Sequence, residues 1–208
     1  MKVIAITPRL VLQNEYNEVR DVLDIKWIDL LVSIGITPLI IPTGINYKSY
    51  IKKFNISGII FTGGNTLSKL KYDNLSLIRD NKENSILKLA IDNKIPIFAV
   101  CRGMQIIADY FGCDFVKTES HVVKNHKINI CAEFWGTKYI SDRVNSYHNF
   151  AIKNLSPKLT VTAKAEDDTI EAFINKELNI YAQMWHPERE EPFKLQDIEL
   201  IKYFFNVK

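Results

Sequence analysis

Short, continuous apolar runs alternate with amphipathic stretches along the first half of the chain. Apolar runs of about four residues that end at a turn are typical of strands buried on both faces, and apolar residues at helical spacing predict the helices between them. The predicted strands are Val3–Ile6, Pro38–Ile41, Gly58–Phe61 and Ile97–Val100. The predicted helices are Glu15–Ile34, Tyr47–Phe54, Ser85–Asn93 and Gly103–Phe111. This alternation indicates a parallel sheet with helices on both faces.

The pattern changes after about residue 120, where strand-like segments follow one another with few helices between them. These segments are Lys127–Cys131, Lys158–Ala165, Ile170–Ile174 and Ile180–Trp185, and a terminal helix is predicted over Leu195–Phe205. We therefore predict an α/β fold with an open, mostly parallel central sheet and added antiparallel strands in the C-terminal half. No repeat or composition break interrupts the pattern, so residues 1–208 are expected to form a single domain.

Composition and charge narrow the class of protein. The 208 residues are 47% hydrophobic and 25% charged, as in soluble globular proteins. A net charge of +3 is too small to predict a nucleic-acid partner. No membrane span or signal-peptide core is expected, because the apolar runs are too short. Three cysteines are an odd, low number that argues against a disulfide framework, so a cytoplasmic location is the expectation.

Cys101 has the sequence context of a nucleophile. It directly follows the apolar run Ile97–Val100 and opens a predicted helix. A tight strand-to-helix turn projects one side chain above the sheet, and a helix N-terminus stabilises a thiolate. Gly103 permits the close backbone approach that such a turn needs. A buried structural cysteine is the alternative, and it is the interpretation we give to Cys113 and Cys131.

His186 and Glu188 are the predicted partners of Cys101. His186 follows an apolar strand near the end of the chain, so it is expected at the same edge of the sheet as Cys101. Cleavage of an amide needs a base that protonates the leaving amine and a group that orients the base, which Glu188 can provide. The backbone amides of Gly64 and Arg102 are candidates for an oxyanion hole. A surface histidine in a loop is the alternative.

Three motifs together resemble the class I glutamine amidotransferase family, and most closely its γ-glutamyl hydrolase (peptidase C26) branch. They are Thr62–Asn65, Cys101–Gln105 and Trp185–Glu188, in that order. The resemblance extends from Val3 to Glu188 and implies a flavodoxin-like fold. It also implies a catalytic triad and oxyanion-hole amides in the positions already described, namely Cys101, His186 and Glu188 with Gly64 and Arg102.

The same resemblance implies contacts to the glutamyl part of a small-molecule substrate. The segment Val144–Asn149 resembles the loop that contacts the α-amino and α-carboxylate groups. The predicted glutamyl-binding residues are Gln105, Ser146, Tyr147 and His148. Glu171 matches a recurrent position of the family. A structural loop histidine and an exposed strand glutamate remain the alternatives for His148 and Glu171.

The segment after the first strand resembles γ-glutamyl hydrolases of bacterial capsule phosphoramidate synthesis. This resemblance implies γ-glutamyl-CDP-amidate as the substrate. Because a nucleotide diphosphate leaving group needs cationic partners, Arg9 and Arg20 are the predicted contacts, with Arg143 as a further candidate. Ordinary surface arginines are the alternative interpretation, and other γ-glutamyl amines are the alternative substrates.

The implied reaction is hydrolysis of a γ-glutamyl amide through a γ-glutamyl thioester on Cys101, with release of glutamate. One alternative is a glutaminase subunit that supplies ammonia to a separate synthase. Another is a non-catalytic partner or regulatory module, which the presence of all three triad residue types disfavours. No cofactor is expected, and no metal, because His121, His126 and Cys131 match none of the usual zinc spacings. The oligomeric state is not determined by the sequence.

Overall fold

The computed structural model describes residues 2–118, 121–132 and 143–208, and this part of the chain contains thirteen strands and five α-helices. The strands are β1 (Lys2–Thr7), β2 (Arg9–Gln13), β3 (Glu18–Val22), β4 (Ile36–Ile40), β5 (Gly58–Phe61), β6 (Ile97–Val100), β7 (Asp114–Lys117), β8 (Val122–Ile130), β9 (Arg143–Tyr147), β10 (Phe150–Asn154), β11 (Thr160–Ala165), β12 (Ile170–Asn175) and β13 (Ile180–Gln183). The helices are α1 (Ile25–Ser33), α2 (Tyr47–Lys53), α3 (Asn74–Asp92), α4 (Arg102–Tyr110) and α5 (Leu195–Phe204).

Five parallel strands form the centre of the main sheet, in the order β4-β1-β5-β6-β13. Numbered by their place in the chain, these strands follow the order 2-1-3-4-5 of flavodoxin-like folds. The order reverses between β1 and β5, and sites in open α/β sheets form at the carboxyl ends of strands beside such a reversal. The predicted mostly parallel central sheet is therefore confirmed.

Antiparallel strands extend the sheet beyond β13, as predicted for the C-terminal half. They follow in the order β12-β11-β8-β9, while β10 pairs with β12 and β7. Buried side chains from both halves of the chain pack in one core. The parallel and antiparallel parts therefore share a sheet and its hydrophobic core.

Helices cover the sheet on its two faces. The connection from β1 to β4 runs along the sheet in the opposite direction from the later connections, so right-handed crossovers place α1 on the face opposite α2, α3 and α4. After β13, α5 returns to the sheet, where the rings of Phe204 and Phe205 pack against Phe98 of β6. Among the described residues, no helix is long and apolar enough to cross a membrane.

The predicted helix Glu15–Ile34 is wrong in its first half. There β2 and β3 form a separate antiparallel hairpin, whose turn includes Asn17 at a φ of 52°. The helix α1 begins only after Asp24, whose carboxylate accepts a hydrogen bond from the backbone N–H of Lys26 at 3.1 Å. Val19 and Val22 are three residues apart, which is helical spacing, but in the structure β3 pairs with β2 instead. The capped start of α1 marks the boundary between the hairpin and the helix.

Helix α3 is longer than the predicted helix over Ser85–Asn93, because it begins at Asn74. Several buried side chains in its first half are charged, which hides the apolar period on which the prediction depends. The short strands β7, β9 and β10 are also absent from the prediction. They lie at the antiparallel end of the sheet, where pairing with neighbouring strands rather than local pattern defines them.

Gly103 should be required for the contact between α4 and β5. A Cβ atom added to Gly103 would lie 2.2 Å from the carbonyl oxygen of Phe61, which is backbone and cannot rotate away. We expect Gly103→Ala to lower the free energy of unfolding by about 3 kcal/mol or more, measured by urea denaturation. Gly112→Ala is the control, because it adds backbone strain of about 1 kcal/mol at a φ of +77° without meeting any atom within 4 Å. Equal losses in the two variants would contradict this interpretation.

Candidate active site

Cys101 occupies a strained turn between β6 and α4. Its φ of 54° and ψ of −109° lie in the left-handed half of the backbone map, where a non-glycine residue costs about 1–3 kcal/mol. The backbone N–H of Cys101 donates to the carbonyl oxygen of Gln183 at 2.8 Å, and its carbonyl accepts from the N–H of Gln105 at 3.0 Å. The turn thus has the sharp strand-to-helix geometry that the sequence predicts for a nucleophile elbow.

His186 and Glu188 form a buried hydrogen-bonded pair. The Nδ1 atom of His186 lies 2.6 Å from a carboxylate oxygen of Glu188. Because the carboxylate can only accept, Nδ1 carries the proton and Nε2 is the nitrogen available for chemistry. The Nε2 atom forms no hydrogen bond of normal geometry with any described residue. A Cβ atom on Gly63 would lie 3.4 Å from Nε2 and 3.5 Å from the Cβ atom of Cys101, so the thiol and the imidazole border the same small space.

The pKa of His186 is strongly perturbed. Burial lowers it, but the negative charge of Glu188 and the interaction with Cys101 outweigh burial and raise the pKa to about 9. The imidazole is therefore protonated at neutral pH. A protonated His186 beside Cys101 can donate a proton to a departing amine.

Asn145 of β9 fixes the backbone of His186. Its side-chain oxygen accepts from the N–H of His186 at 2.8 Å, and its amide nitrogen donates to the His186 carbonyl oxygen at 2.8 Å. The same nitrogen donates to a carboxylate oxygen of Glu190 at 2.8 Å, and the ring of Tyr147 meets the imidazole edge-to-face at 5.6 Å. The family resemblance of Val144–Asn149 includes Asn145 but predicts a substrate contact there, not this contact to the backbone of His186, whose position lies far away in the chain.

A buried arginine holds the glycine loop that follows β5. The guanidinium of Arg79 donates to the carbonyl oxygens of Thr62, Gly63 and Gly64 at 2.8 to 3.1 Å. It also pairs with Glu83, one helical turn away on α3, at 2.9 Å. Burial is the main cause that lowers the pKa of Arg79, to about 10, so the side chain remains charged at neutral pH. Arg79 thus fixes the three carbonyls of the loop from the side of α3. An oxyanion-hole role for the amide of Gly64 stays a prediction.

Arg102 extends this network beneath the nucleophile turn. Its guanidinium pairs with the carboxylates of Glu83 and Asp80, and Thr7 of β1 donates to Glu83 at 2.8 Å. Burial raises the pKa of Glu83, but the charges of Arg102 and Arg79 lower it by more, so this carboxylate is ionised.

The sequence predicts a role only for the backbone of Arg102 and not for this side-chain network. The spacing of Arg79 and Glu83 at i and i+4 is the available signal, but it is equally typical of an exposed helix face.

Two cavities flank Gly64 at this edge of the sheet. One has a volume of about 230 Å³ and includes Cys101, Arg102, Gln105, Tyr147 and His148 in its lining. The other has a volume of about 280 Å³ and includes Arg9, Asp24, Trp27, His186 and Arg189. A larger cavity of about 1120 Å³ lies away from these residues, beside the C-terminal end of α4 and β12. The two smaller cavities are the ones in contact with the paired thiol and imidazole.

Three of the four predicted glutamyl-binding residues line the first of these cavities, and Ser146 does not. Gln105 donates through its amide nitrogen to the carbonyl oxygen of Phe150 at 2.8 Å. The hydroxyl of Ser146 donates to the carbonyl oxygen of His121 at 2.6 Å, so it serves the fold. Tyr147 and His148 line the cavity itself. Binding of a glutamyl group by these residues stays a prediction.

The arginines predicted to bind the leaving group occupy different places. Arg9 lines the second cavity, and its side chain packs on Gly64, where an added Cβ would lie 2.7 Å from the arginine Cδ. Arg20 forms an ion pair with Glu18 on the exposed hairpin and lines neither cavity. Arg143 also lies outside both linings, at the start of β9.

Arg189 is a cavity residue that the sequence does not distinguish from a solvated surface charge. Its guanidinium lies 4.5 Å from the centre of the Tyr147 ring, and the residue lines the second cavity together with Arg9. Two arginine residues therefore line the cavity on the His186 side of the site.

Comparison with known proteins identifies a family and several relatives. A family model described as Peptidase C26 matches residues 2–188. The chain is 37% identical over 207 residues to a protein of Campylobacter jejuni named gamma-glutamyl-CDP-amidate hydrolase, and the match covers 98% of each chain. It is 32% identical to a subunit of the glutamine-hydrolyzing GMP synthase of Pyrococcus abyssi, over 74% of this chain and 78% of that one.

A solved structure shows the same fold. The crystal structure of a GMP synthase subunit from Thermoplasma acidophilum superposes with a TM-score of 0.77 and 21% identity. The match covers 100% of this chain and 94% of that chain. This likeness supports the fold described above.

The raised pKa of His186 should depend on Glu188. We expect Glu188→Gln to lower that pKa well below about 9, because the variant removes a negative charge while burial remains. The measurement is a pH titration of the His186 ring protons by NMR. Glu191→Gln is the control, since Glu191 is exposed and pairs with Lys26. A His186 pKa that stays near 9 in Glu188→Gln would contradict the assignment.

Wild-type stability should show the same linkage. The pKa of His186 is raised from an ordinary value of 6.5 to about 9, so its contribution to stability is fully present below pH 6.5 and is lost as the pH rises through about 9. Urea denaturation across this interval measures the loss, which should be smaller in Glu188→Gln.

Proposed function

The chain belongs to the peptidase C26 family, and we propose that it is a cysteine hydrolase that cleaves a γ-glutamyl amide bond and releases glutamate. The observation that carries this proposal is the shared space beside Gly63, which the side chains of Cys101 and His186 both border. Glu188 holds the far nitrogen of the imidazole, so the three side chains have the relation of a nucleophile, a base and an orienting group.

In the first half of the proposed reaction, Cys101 forms a bond to the γ-carbonyl carbon of the substrate. The thiolate sulfur attacks this carbon, and the backbone amides of Gly64 and Arg102 stabilise the negative charge on the oxygen. Collapse of the tetrahedral intermediate breaks the carbon–nitrogen bond. His186 donates its Nε2 proton to the departing nitrogen, and a γ-glutamyl thioester remains on Cys101.

In the second half, water replaces the sulfur. Neutral His186 accepts a proton from a water molecule at Nε2, and the water oxygen attacks the thioester carbon. The carbon–sulfur bond breaks, glutamate leaves, and the protonated imidazole again faces a thiolate. Neither step changes an oxidation state, so no oxidant or reductant is needed and the residues of this chain are sufficient for both steps.

The substrate we propose is γ-glutamyl-CDP-amidate. The leaving group must lie on the side of His186 that protonates it, and the cavity there is lined by Arg9 and Arg189. Guanidinium groups suit the charge and geometry of phosphates. The Campylobacter relative named for this substrate, identical at 37% of positions over nearly the whole chain, supports the same choice.

A glutaminase subunit that supplies ammonia to a separate synthase is the second candidate function. The observation in its favour is the 32% identity to the GMP synthase subunit of Pyrococcus abyssi. A glutaminase needs only glutamine as substrate and gains activity from its synthase partner. The two candidates therefore differ in how activity responds to the substrate and to a partner.

A substrate panel separates these functions. We expect the purified chain to release glutamate fastest from γ-glutamyl-CDP-amidate, and more slowly from γ-glutamyl-aminobutyrate, γ-glutamyl-putrescine and glutamine, measured as kcat/KM.

Cys101→Ala should lower the rate by about 10⁴-fold or more, because no other group can form the thioester. Cys131→Ser is the control, since Cys131 is exposed and lines neither cavity. Full activity in Cys101→Ala would refute the mechanism, and a preference for glutamine that appears only with an added synthase would favour the second candidate.

The contribution of the arginines is tested on two substrates. Arg9→Ala and Arg189→Ala should each lower kcat/KM for γ-glutamyl-CDP-amidate by roughly 10- to 100-fold, the value of a lost charge-assisted hydrogen bond. Arg9→Ala should change kcat/KM for γ-glutamyl-aminobutyrate much less, because that substrate has no phosphate. Arg189→Ala also removes the ion pair of Arg189 Nε with Glu188 at 3.7 Å, so it should lower kcat/KM for both substrates, with the larger loss on γ-glutamyl-CDP-amidate. Lys48→Ala, at an exposed position of α2 outside both cavities, is the control, and Arg20→Ala tests the remaining predicted contact. Equal losses of kcat/KM on both substrates would show that the arginines do not bind the nucleotide part of the substrate.

A further inference from the structure

Three of the four histidines of the chain surround one buried carboxylate, away from the Cys101–His186 pair. Glu171 of β12 is 0% exposed, and its two carboxylate oxygens face His121, His126 and His148. Neither oxygen has a hydrogen bond of normal geometry to any residue that the structure describes. A buried charge without such partners is costly, so this cluster requires a physical explanation.

In His121 and His148, a hydrogen bond to the ring nitrogen that points away from Glu171 determines which of the two ring nitrogens carries the proton. The Nε2 atom of His121 lies 3.0 Å from a carboxylate oxygen of Asp167, and Nδ1 of His148 lies 3.1 Å from the carbonyl oxygen of Phe150. Both partners can only accept, so each of these outer nitrogens must donate. In the neutral imidazoles, Nδ1 of His121 and Nε2 of His148 therefore present lone pairs to the centre of the cluster.

With both imidazoles neutral, three electron-rich atoms face one another. The Nδ1 atom of His121 lies 3.3 Å from Nε2 of His148 and 3.4 Å from Oε1 of Glu171. The same Oε1 lies 3.5 Å from Nε2 of His148. Lone pairs at these separations repel unless a positive charge lies between them, and either a proton or a metal cation could supply it.

The distances favour a metal over a proton. A charge-assisted hydrogen bond between an imidazolium and a carboxylate is normally about 2.7–2.9 Å long, and one proton can bridge only two of the three atoms. Three ligands bound tetrahedrally to Zn²⁺ at about 2.0–2.1 Å lie about 3.3–3.4 Å from one another. The sides of this triangle, 3.3, 3.4 and 3.5 Å, are close to that separation.

We propose that His121 Nδ1, His148 Nε2 and Glu171 Oε1 form a site for a divalent transition-metal ion, with Zn²⁺ as the preferred occupant. Two imidazoles and a carboxylate are ligands that zinc accepts readily. Asp167 and the Phe150 carbonyl are the outer partners that orient ligating histidines in such sites. His126 Nε2, 3.4 Å from Oε2 of Glu171, is the partner of the second carboxylate oxygen.

The proposed ion would stabilise the wall of the first cavity rather than take part in the reaction. It would connect His121 at the start of β8, Glu171 in β12 and His148 in the turn between β9 and β10. His148 also lines the cavity that contains Cys101. The ion would therefore fix the turn against which the glutamyl group is proposed to bind.

The proposal departs from the expectation of no metal, and it uses a different set of residues. Cys131, considered with His121 and His126, is exposed and does not belong to the cluster. His148 and Glu171 lie on separate parts of the sheet, so no short spacing in the sequence could reveal the site.

The test is direct zinc binding by the purified full chain. After removal of metal with a chelator, we expect one Zn²⁺ per chain to bind in a chelator-competition titration, and Co²⁺ to give the visible absorption of a site with nitrogen ligands. At a hundredfold excess of Zn²⁺ over its Kd, the Tm should rise by about 5–10 °C. His148→Ala and Glu171→Gln should abolish binding, whereas His126→Ala should weaken it by about 10- to 100-fold.

Two controls separate this site from other zinc-binding groups. Cys101→Ser removes the thiol that, with His186, could bind zinc adventitiously, and Cys131→Ser removes the exposed thiol; both should retain one Zn²⁺ per chain. Because His148→Ala could also destabilise the fold, its circular dichroism spectrum and Tm without metal are compared with those of the wild type. Absence of stoichiometric binding by the wild type, or loss of binding in Cys101→Ser with retention in a folded His148→Ala, would overturn the proposal. The test is independent of substrate turnover, so its failure leaves the proposed hydrolase function untouched.

Discussion

The register between β6 and β13 is the constraint on which the site depends. These strands are parallel neighbours, with Val100 opposite Gln183, so the residues that follow them emerge side by side at one edge of the sheet. The hydrogen bond from the Cys101 N–H to the Gln183 carbonyl continues that pairing into the strained turn. A slip of one residue would turn the side chains of β13 to the other face and separate the thiol from His186.

The strained turn at Cys101 and the neighbouring glycine loop require buried partners that hold their backbone. These partners form a network of buried charges in which Arg79 binds the carbonyls of the loop and Arg102 joins α4 to α3. Breaking one partner of a buried ion pair is strongly destabilising, so the network fixes geometry more than it adds net stability. The rigid part of the site is therefore polar, although the sheet around it is apolar.

The antiparallel end of the sheet completes the site from the other side. Asn145 of β9 binds the backbone of His186, and the turn after β9 carries His148 to the cavity wall. The same turn brings His148 Nε2 to 3.5 Å from a carboxylate oxygen of Glu171 on β12. Strands added beyond the parallel core thus hold the backbone of the proposed general base and line the cavity beside Cys101, despite the irregular pattern of this half.

The sequence by itself determined the parallel core, the family and the local context of Cys101, His186 and Glu188, because strand runs, glycines and the three motifs are properties of short segments. Its pattern is misleading at the β2–β3 hairpin, where strand pairing overrides the helical spacing of the valines. It is also misleading at the start of α3, where buried charges conceal the apolar face. Only the tertiary structure decided that Arg79 and Asn145 support the site, that Arg189 joins Arg9 while Arg20 stays outside, and that three histidines converge on Glu171. These relations join residues far apart in the chain, and no local pattern encodes which distant strands become neighbours.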